Sequence, residues 1–334
     1  MSEFLNNMPK VELHVHLEGA IPLPALWELV HKYDIPHEVP DLAALERRFQ
    51  YVDFPHFIDT WIWMTRFFRE ADDFTFMADA VASDLARQNI LYAEITYAPG
   101  GMEEYGMGVQ KVTEAIRKGL DRHRDRITVN LIADLIRDMG PTLGEKWLWE
   151  LKEVRDSCGV VGIGIGGSEQ KYPPEPYARV YELARSFGFH TSAHAGEAAG
   201  PQSVWGALRA LKVDRIGHAT RAIEDPALVE ELRIRRIPLE MCPISNMRTG
   251  GVPDYTKHPI QHFYKQGLIV TVNTDDPTMF GNNLVMEFEG LSEVFGFSEK
   301  DIRDLTLNAV ESAWCDEEAR KRLAREIDSA FSVG

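Results

Sequence analysis

Apolar positions along the chain fall into eight short, strand-like runs separated by stretches of helical periodicity. The runs are 11–17 (VELHVHL), 90–98 (ILYAEITYA), 128–137 (TVNLIADLIR), 160–166 (VVGIGIG), 190–197 (HTSAHAGE), 215–220 (RIGHAT), 238–244 (PLEMCPI) and 269–276 (IVTVNTDD). Between them lie helical patterns such as 173–189 and 225–236. This alternation reads as repeated βα units. Eight such units predict an α/β chain closed into a (β/α)8 barrel, a single domain over 1–334, with catalytic residues at the C-terminal strand ends. A doubly wound open sheet is the alternative, but no GxGxxG turn follows the first run to support it.

The first and second runs are separated by far more chain than one helix needs, which predicts a helical insertion over about 22–85. Within it Phe54, Phe57, Trp61, Met64 and Phe68 recur at helical spacing. That pattern fits a lid that keeps water from the barrel mouth. It fits equally an amphipathic helix packed on the core, and periodicity does not separate the two. The last stretch, 298–330, reads as helical and charged, with Trp314 and Leu323 as packing residues and no chemistry of its own.

Composition narrows the function classes. A formal charge of −16 disfavours nucleic acid or an anionic membrane as partner, because both repel an acidic surface. Cys158, Cys242 and Cys315 are far apart and form no CxxC pair, which reads as reduced thiols in a cytoplasmic protein. The opening MSEFLNNMPK lacks the pattern of a secretory signal. No apolar run reaches the roughly 18 residues of a membrane span. The pattern leaves oligomeric state open.

Candidate chemistry sits at four run ends: His14 and His16, His194 with Glu197, His218, and Asp275-Asp276. His14 and His16 are two apart, so on a strand they share a face and can bind one ion. Glu197 reads either as a proton donor or acceptor beside a metal-bound imidazole, or as a helix-start carboxylate. His218 follows Gly217, which allows close approach, although a satisfied core histidine is the plainer reading. Asp275 and Asp276 repel unless a cation or proton offsets them. The plainer reading there is an Asp-Asp-Pro turn. Four such clusters at strand ends point together to a metal-dependent hydrolase, since zinc takes imidazole and carboxylate and acidifies bound water.

The ordered motifs MPKVELHVHLEGAI, HAGE, RIGHAT, MCPISN and VNTDDP resemble the adenosine deaminase family of the amidohydrolase superfamily, from about Met8 to near Trp314. The resemblance implies a barrel with one catalytic Zn2+ per chain, held by His14, His16, His194 and Asp275. It implies that Glu197 protonates a purine ring nitrogen, that His218 orients or deprotonates the attacking water, and that Asp276 and the Gly167 N–H contact the purine; a relay through Asp275, His218 or water could protonate the departing ammonia. No lysine stands in GIGIGG, where two-metal members of the superfamily carry one, so a single metal is expected. Glu18 replaces the aspartate expected to reach the ribose, Ser168 replaces an acidic residue, and adenine-specific relatives tend to carry serine in place of Gly167. Ala219 and Ile244 read as packing changes. The expected substrate is a small-molecule purine nucleoside, adenosine or deoxyadenosine first, then 6-amino-6-deoxyfutalosine, then adenine. A two-metal enzyme acting on esters or lactams, and a binding protein on a decayed barrel, are the readings from other classes.

Overall fold

The computed structural model describes residues 2–33 and 39–331. The insertion expected over 22–85 includes 34–38, and the domain expected over 1–334 includes 1 and 332–334; these residues lie outside the description. All eight runs form strands: β1 (Lys10–His16), β2 (Ile90–Tyr97), β3 (Thr128–Asp134), β4 (Val160–Gly164), β5 (His190–Ala195), β6 (Arg215–His218), β7 (Leu239–Met241) and β8 (Val270–Val272). They pair in parallel, in chain order, and helices surround them, giving the (β/α)8 barrel. Both faces of each strand are covered, by the barrel interior and by the helical ring, so residues of both parities are buried along β1 and β2.

The seam between β8 and β1 is closed by a single bridge, Val15 to Asp275. There the His16 N–H donates to the Asp275 carbonyl (2.8 Å) and the Asp275 N–H to the His14 carbonyl (3.0 Å). Below it, side chains take over the ladder. Asn273 Oδ1 accepts from the Leu13 N–H (3.0 Å), and the Glu12 carboxylate accepts from the Thr274 N–H (2.9 Å). The seam thus ties the two strand ends that carry His14, His16 and Asp275.

Among the described residues four helices lie between β1 and β2: Leu23–Lys32, Leu42–Arg48, Phe54–Thr65 and Ala71–Arg87. The last leads into β2 and packs along the Val109–Leu120 helix, the place of a ring helix. Asp53 caps the Phe54–Thr65 helix by accepting from the His56 N–H (2.9 Å), with Pro55 in the first turn. One face of that helix, Phe57, Thr60, Trp63 and Met64, is buried. Phe57 stacks on Phe280 from the β8 loop at 5.2 Å, and Arg48 lies 4.3 Å over Trp63. The other face, with Ile58, Trp61 and Ile62, borders the cavity at the barrel mouth. The helix therefore has both a core face and a cavity face, where periodicity alone admitted either.

The charged C-terminal stretch is two helices, Glu299–Ser312 and Glu317–Phe331, with Leu323 buried. Cys158 and Cys242 are buried, and none of the three cysteines is bonded to another. No helix among the described residues is long and apolar enough to cross a membrane.

Candidate active site

The strand ends converge as the period-2 argument requires. His14 and His16 project from β1 to one side, beside His194 near the end of β5, His218 at the end of β6 and Asp275 beyond β8. The expected runs 190–197 and 215–220 end early as strands, for a local reason: Gly196 and His218 take left-handed φ values of 75° and 64°, which turn the chain out of the sheet. The run 269–276 ends as a strand at Val272, and Asp275, with a left-handed φ of 68°, turns the chain beyond its bridge to β1. Two of these are not glycine, and such backbone persists where the surroundings enforce it. The turn also lets Asp275 and Asp276 face the same cavity, although adjacent residues of a strand point apart. Gly217 is needed for closeness, because a Cβ there would lie 2.7 Å from His14 Cε1.

The donor atoms lie around one point. His16 Nε2 is 3.1 Å from His194 Nε2 and 3.3 Å from Asp275 Oδ1, and His14 Nε2 is 3.4 Å from the same oxygen. Two ligands each about 2.1 Å from a shared ion at a tetrahedral angle stand about 3.4 Å apart. The ligand atoms of His14, His194, His218 and Asp275 also fall within 4.8 Å of one another. A second grouping, His16 with Asp275 and Asp276, shares Asp275 with the first and borders the same centre. His14 Nε2 and His218 Nε2 are buried without a hydrogen-bond partner, as ligand or water-facing nitrogens would be. This donor set suits a cation. Burial opposes charge on His14, but the Asp275 and Glu240 carboxylates beside its ring outweigh it and raise the imidazole to about 10. His16 rises to about 9, against burial, under the charges of Asp276 and Asp275. The cluster thus holds surplus negative charge that a proton or metal neutralises.

Behind the cluster stands a layer that the motifs did not reveal. Glu240 Oε2 accepts from His14 Nδ1 (2.8 Å), which directs the other ring nitrogen to the centre. Arg215 bridges Glu240 (2.6 Å) and Glu94 (2.5 Å) and lies 3.5 Å over the Trp314 ring. Ser245 donates to Asp275 Oδ2 (2.6 Å), and Asn246 joins His218 (3.0 Å) to His258 (3.1 Å). A signal existed: Glu94, Arg215 and Glu240 are charges inside apolar strand runs of a barrel buried on both faces, so each must be paired.

The centre opens into a cavity of about 380 Å3. His16, Glu18, Gly167, His194, Glu197, His218, Asp275 and Asp276 line it, and His14 lies just behind. Glu197 is 6% exposed, and its Oε2 is 3.6 Å from His218 Nε2. Burial, then the charges of Asp275 and Glu169, raise its carboxyl well above the usual range. Asp276 is raised to about 8 by burial and by Asp275. His218 is driven down to about 3, chiefly by burial. Glu18 accepts from the Ala98 N–H (2.9 Å) while its other oxygen is buried without a partner, and burial raises the carboxyl to about 7. Gly167 has φ 98°, and a Cβ there would lie 2.2 Å from Asp138 Oδ2, the atom that accepts from the Ser168 N–H (2.7 Å). A serine at 167 would require Asp138 to move. The far side of the cavity is carbon: Phe54, Ile58, Trp61, Ile62, Met102 and Met139. No lysine or arginine is among the described residues lining it.

Comparison with known proteins agrees with this geometry. The model of the adenosine deaminase family matches residues 9–330. The chain is 34% identical to the aminodeoxyfutalosine deaminase of Streptomyces coelicolor over 330 residues, which is 98% of this chain and 85% of that one. It is also 34% identical to an adenine deaminase of Rhizobium leguminosarum bv. trifolii over 327 residues, 96% of this chain and 99% of that one. Among solved structures, an amidohydrolase from B. ambifaria with bound zinc superposes with a TM-score of 0.90 at 29% identity, covering 99% of this chain and 94% of that one.

Proposed function

The chain belongs to the adenosine deaminase family of hydrolytic deaminases, and from that premise we propose that it acts on a 6-aminopurine nucleoside with one zinc ion. The reaction adds water at C6 and releases ammonia, leaving the 6-oxopurine. His14, His16, His194 and Asp275 would hold the ion. Zinc, when bound, supplies a Lewis acid that makes water reactive near neutral pH.

The remaining roles belong to the chain's own groups. Glu197 keeps its proton at neutral pH because burial and neighbouring carboxylates disfavour its charge. It therefore has a proton to give the ring nitrogen beside C6, which makes that carbon more electrophilic. Asp276, also held neutral, offers a hydrogen bond to an unprotonated ring nitrogen, and the Gly167 N–H offers another. His218 is kept neutral, and the Asn246 amide nitrogen facing its Nδ1 (3.0 Å) places the ring proton on Nε2, toward the centre. It serves to orient water, while Asp275 and Glu197 relay protons to the departing ammonia. The observation that carries the reading is the meeting of a charge-hungry imidazole–carboxylate cluster and a neutral buried Glu197 on one cavity.

The cavity wall ranks the substrates. Free adenine would leave the carbon-lined side unfilled, whereas a larger 6-aminopurine nucleoside with an apolar extension would cover it. 6-Amino-6-deoxyfutalosine leads, with adenosine and adenine behind it; the Streptomyces relative supports the first place. The three unpaired cysteines support a reducing, cytoplasmic compartment. Ammonia release by zinc-loaded protein, offered the three compounds in parallel, tests the reading. The highest kcat/KM is expected for 6-amino-6-deoxyfutalosine; preference for adenine overturns the order, and silence on all three overturns the purine assignment. A metal-to-chain ratio near two would favour ester or lactam chemistry instead.

A further inference from the structure

Glu169 sits beyond β4, outside the metal cluster and not lining the main cavity. Its carboxylate is 3% exposed and has no cationic partner among the ion pairs of the described residues. It collects four consecutive backbone amides: Gly196 N–H at 2.6 Å on one oxygen, and Glu197, Ala198 and Ala199 at 3.1, 2.7 and 2.9 Å on the other. Consecutive amides turned to one side form an anion-binding concavity. Here a side chain of the same protein fills it.

The same segment is held by its carbonyls from other directions. Arg137, 1% exposed, donates to the His194 carbonyl (2.5 Å). The Ala219 N–H donates to the Ala195 carbonyl (3.1 Å), and Thr220 Oγ1 and the Arg221 N–H donate to that of Gly196 (2.7 and 2.8 Å). The chain from His194 to Ala199 is thus gripped on both sides, with Glu197 in the middle. A helical start cannot supply this grip, because the following helix begins only at Pro201 and has six residues. We propose that Glu169 is a positioning residue for the deamination: by binding the amides of 196–199 it sets the place of the Glu197 carboxyl relative to the bound purine.

This inference rests on the reading of Glu197 as proton donor, and its cost follows from geometry. A displacement near 1 Å of a reacting group costs on the order of 100-fold in rate. Glu169→Gln keeps the shape but replaces one acceptor oxygen by an NH2, which cannot accept and faces one or more N–H donors. The test compares wild type, Glu169→Gln and Glu197→Gln, as full-length zinc-loaded protein, in ammonia release from the preferred aminopurine substrate. Zinc content and amide hydrogen exchange are measured alongside.

For Glu169→Gln the expected result is a kcat lower by about 10–100-fold, a KM within about threefold, unchanged zinc and faster exchange at 196–199. A wild-type kcat, or a change confined to KM, overturns the inference. So does a fall in kcat that merely tracks lost zinc. If Glu169→Gln does not fold, Glu169→Asp carries the test, since its shorter arm keeps the charge but cannot reach all four amides. A folded Glu169→Asp with wild-type kcat overturns the inference equally. If Glu197→Gln turns over like wild type, the proton-donor reading itself fails; if it is inactive while Glu169→Gln is unaffected, only the positioning role fails.

Discussion

At the strand ends, four of the polar groups at or beside the cavity have a partner fixing them from behind: Glu240 for His14, Asn246 for His218, Ser245 for Asp275, the Ala98 amide for Glu18. Across the cavity, the Phe54–Thr65 helix offers carbon. Trp61 is only partly buried and Ile62 is 55% exposed. Directional bonds hold a group to within tenths of an ångström, and bond-making needs that. Apolar contact is non-directional and scales with area, which suits holding the part of a substrate that does not react. Under the proposed function the two walls would divide the work accordingly, rate on one side and choice of substrate on the other.

The sharpest way to break that division is at Glu197. Glu197→Gln is expected to lower kcat by about 10²–10⁴-fold with zinc content unchanged, measured by steady-state kinetics and elemental analysis. Zinc lost together with activity would make Glu197 structural. Next, Glu240→Gln should weaken metal binding by about 10–100-fold, read by titration against a chelator. An unchanged affinity would detach the Glu240–His14 bond from the centre. On the other wall, Trp61→Ala should raise KM for an extended nucleoside by about 10-fold through lost apolar contact, and leave kcat and the KM for adenine nearly unchanged. Equal effects on both substrates would erase the proposed division.

An effect of another kind, on stability, lies on the barrel floor, remote from both walls. Lys10 is buried there and donates to the carbonyls of Asn6, Met8 and Gln88 (3.1, 2.7 and 2.8 Å), and burial lowers its ammonium to about 8. The unfolded chain keeps the ordinary value of 10.5, so between these limits it binds more protons than the folded chain. Stability should therefore rise with pH across that window, by up to about 3 kcal/mol. Denaturant unfolding at pH 7.5 and pH 10 checks it, with Lys10→Met as reference: the difference between the proteins should move in favour of wild type as pH rises. A pH-independent difference would show that the three carbonyls hold the charged form in full.

The barrel was legible because strand and helix periods are local, and eight runs in alternation leave few closed arrangements. The positions of His14, His16, His194, His218 and Asp275 were legible as strand-end residues for the same reason. Every expected run extends past the end of its strand, most of all at β8, because residue type does not announce where a chain leaves a sheet, as at the left-handed His218. Glu169 stands in GIGIGGSE, yet a lone carboxylate in a loop does not reveal that four amides will face it.

By itself, then, the sequence determined the order of the βα units, the faces of the strands and the set of groups able to bind a cation, since these depend on neighbours along the chain. Only the tertiary structure decided which nitrogen of His14 faces the centre, because the group that decides it, Glu240, is 226 positions away. It alone decided that Asp275 and Asp276 share a cavity, and that one face of the Phe54–Thr65 helix lies open to it. Those outcomes are contacts between distant segments, and they exist only once the barrel has closed and forced each buried polar group to find its partner.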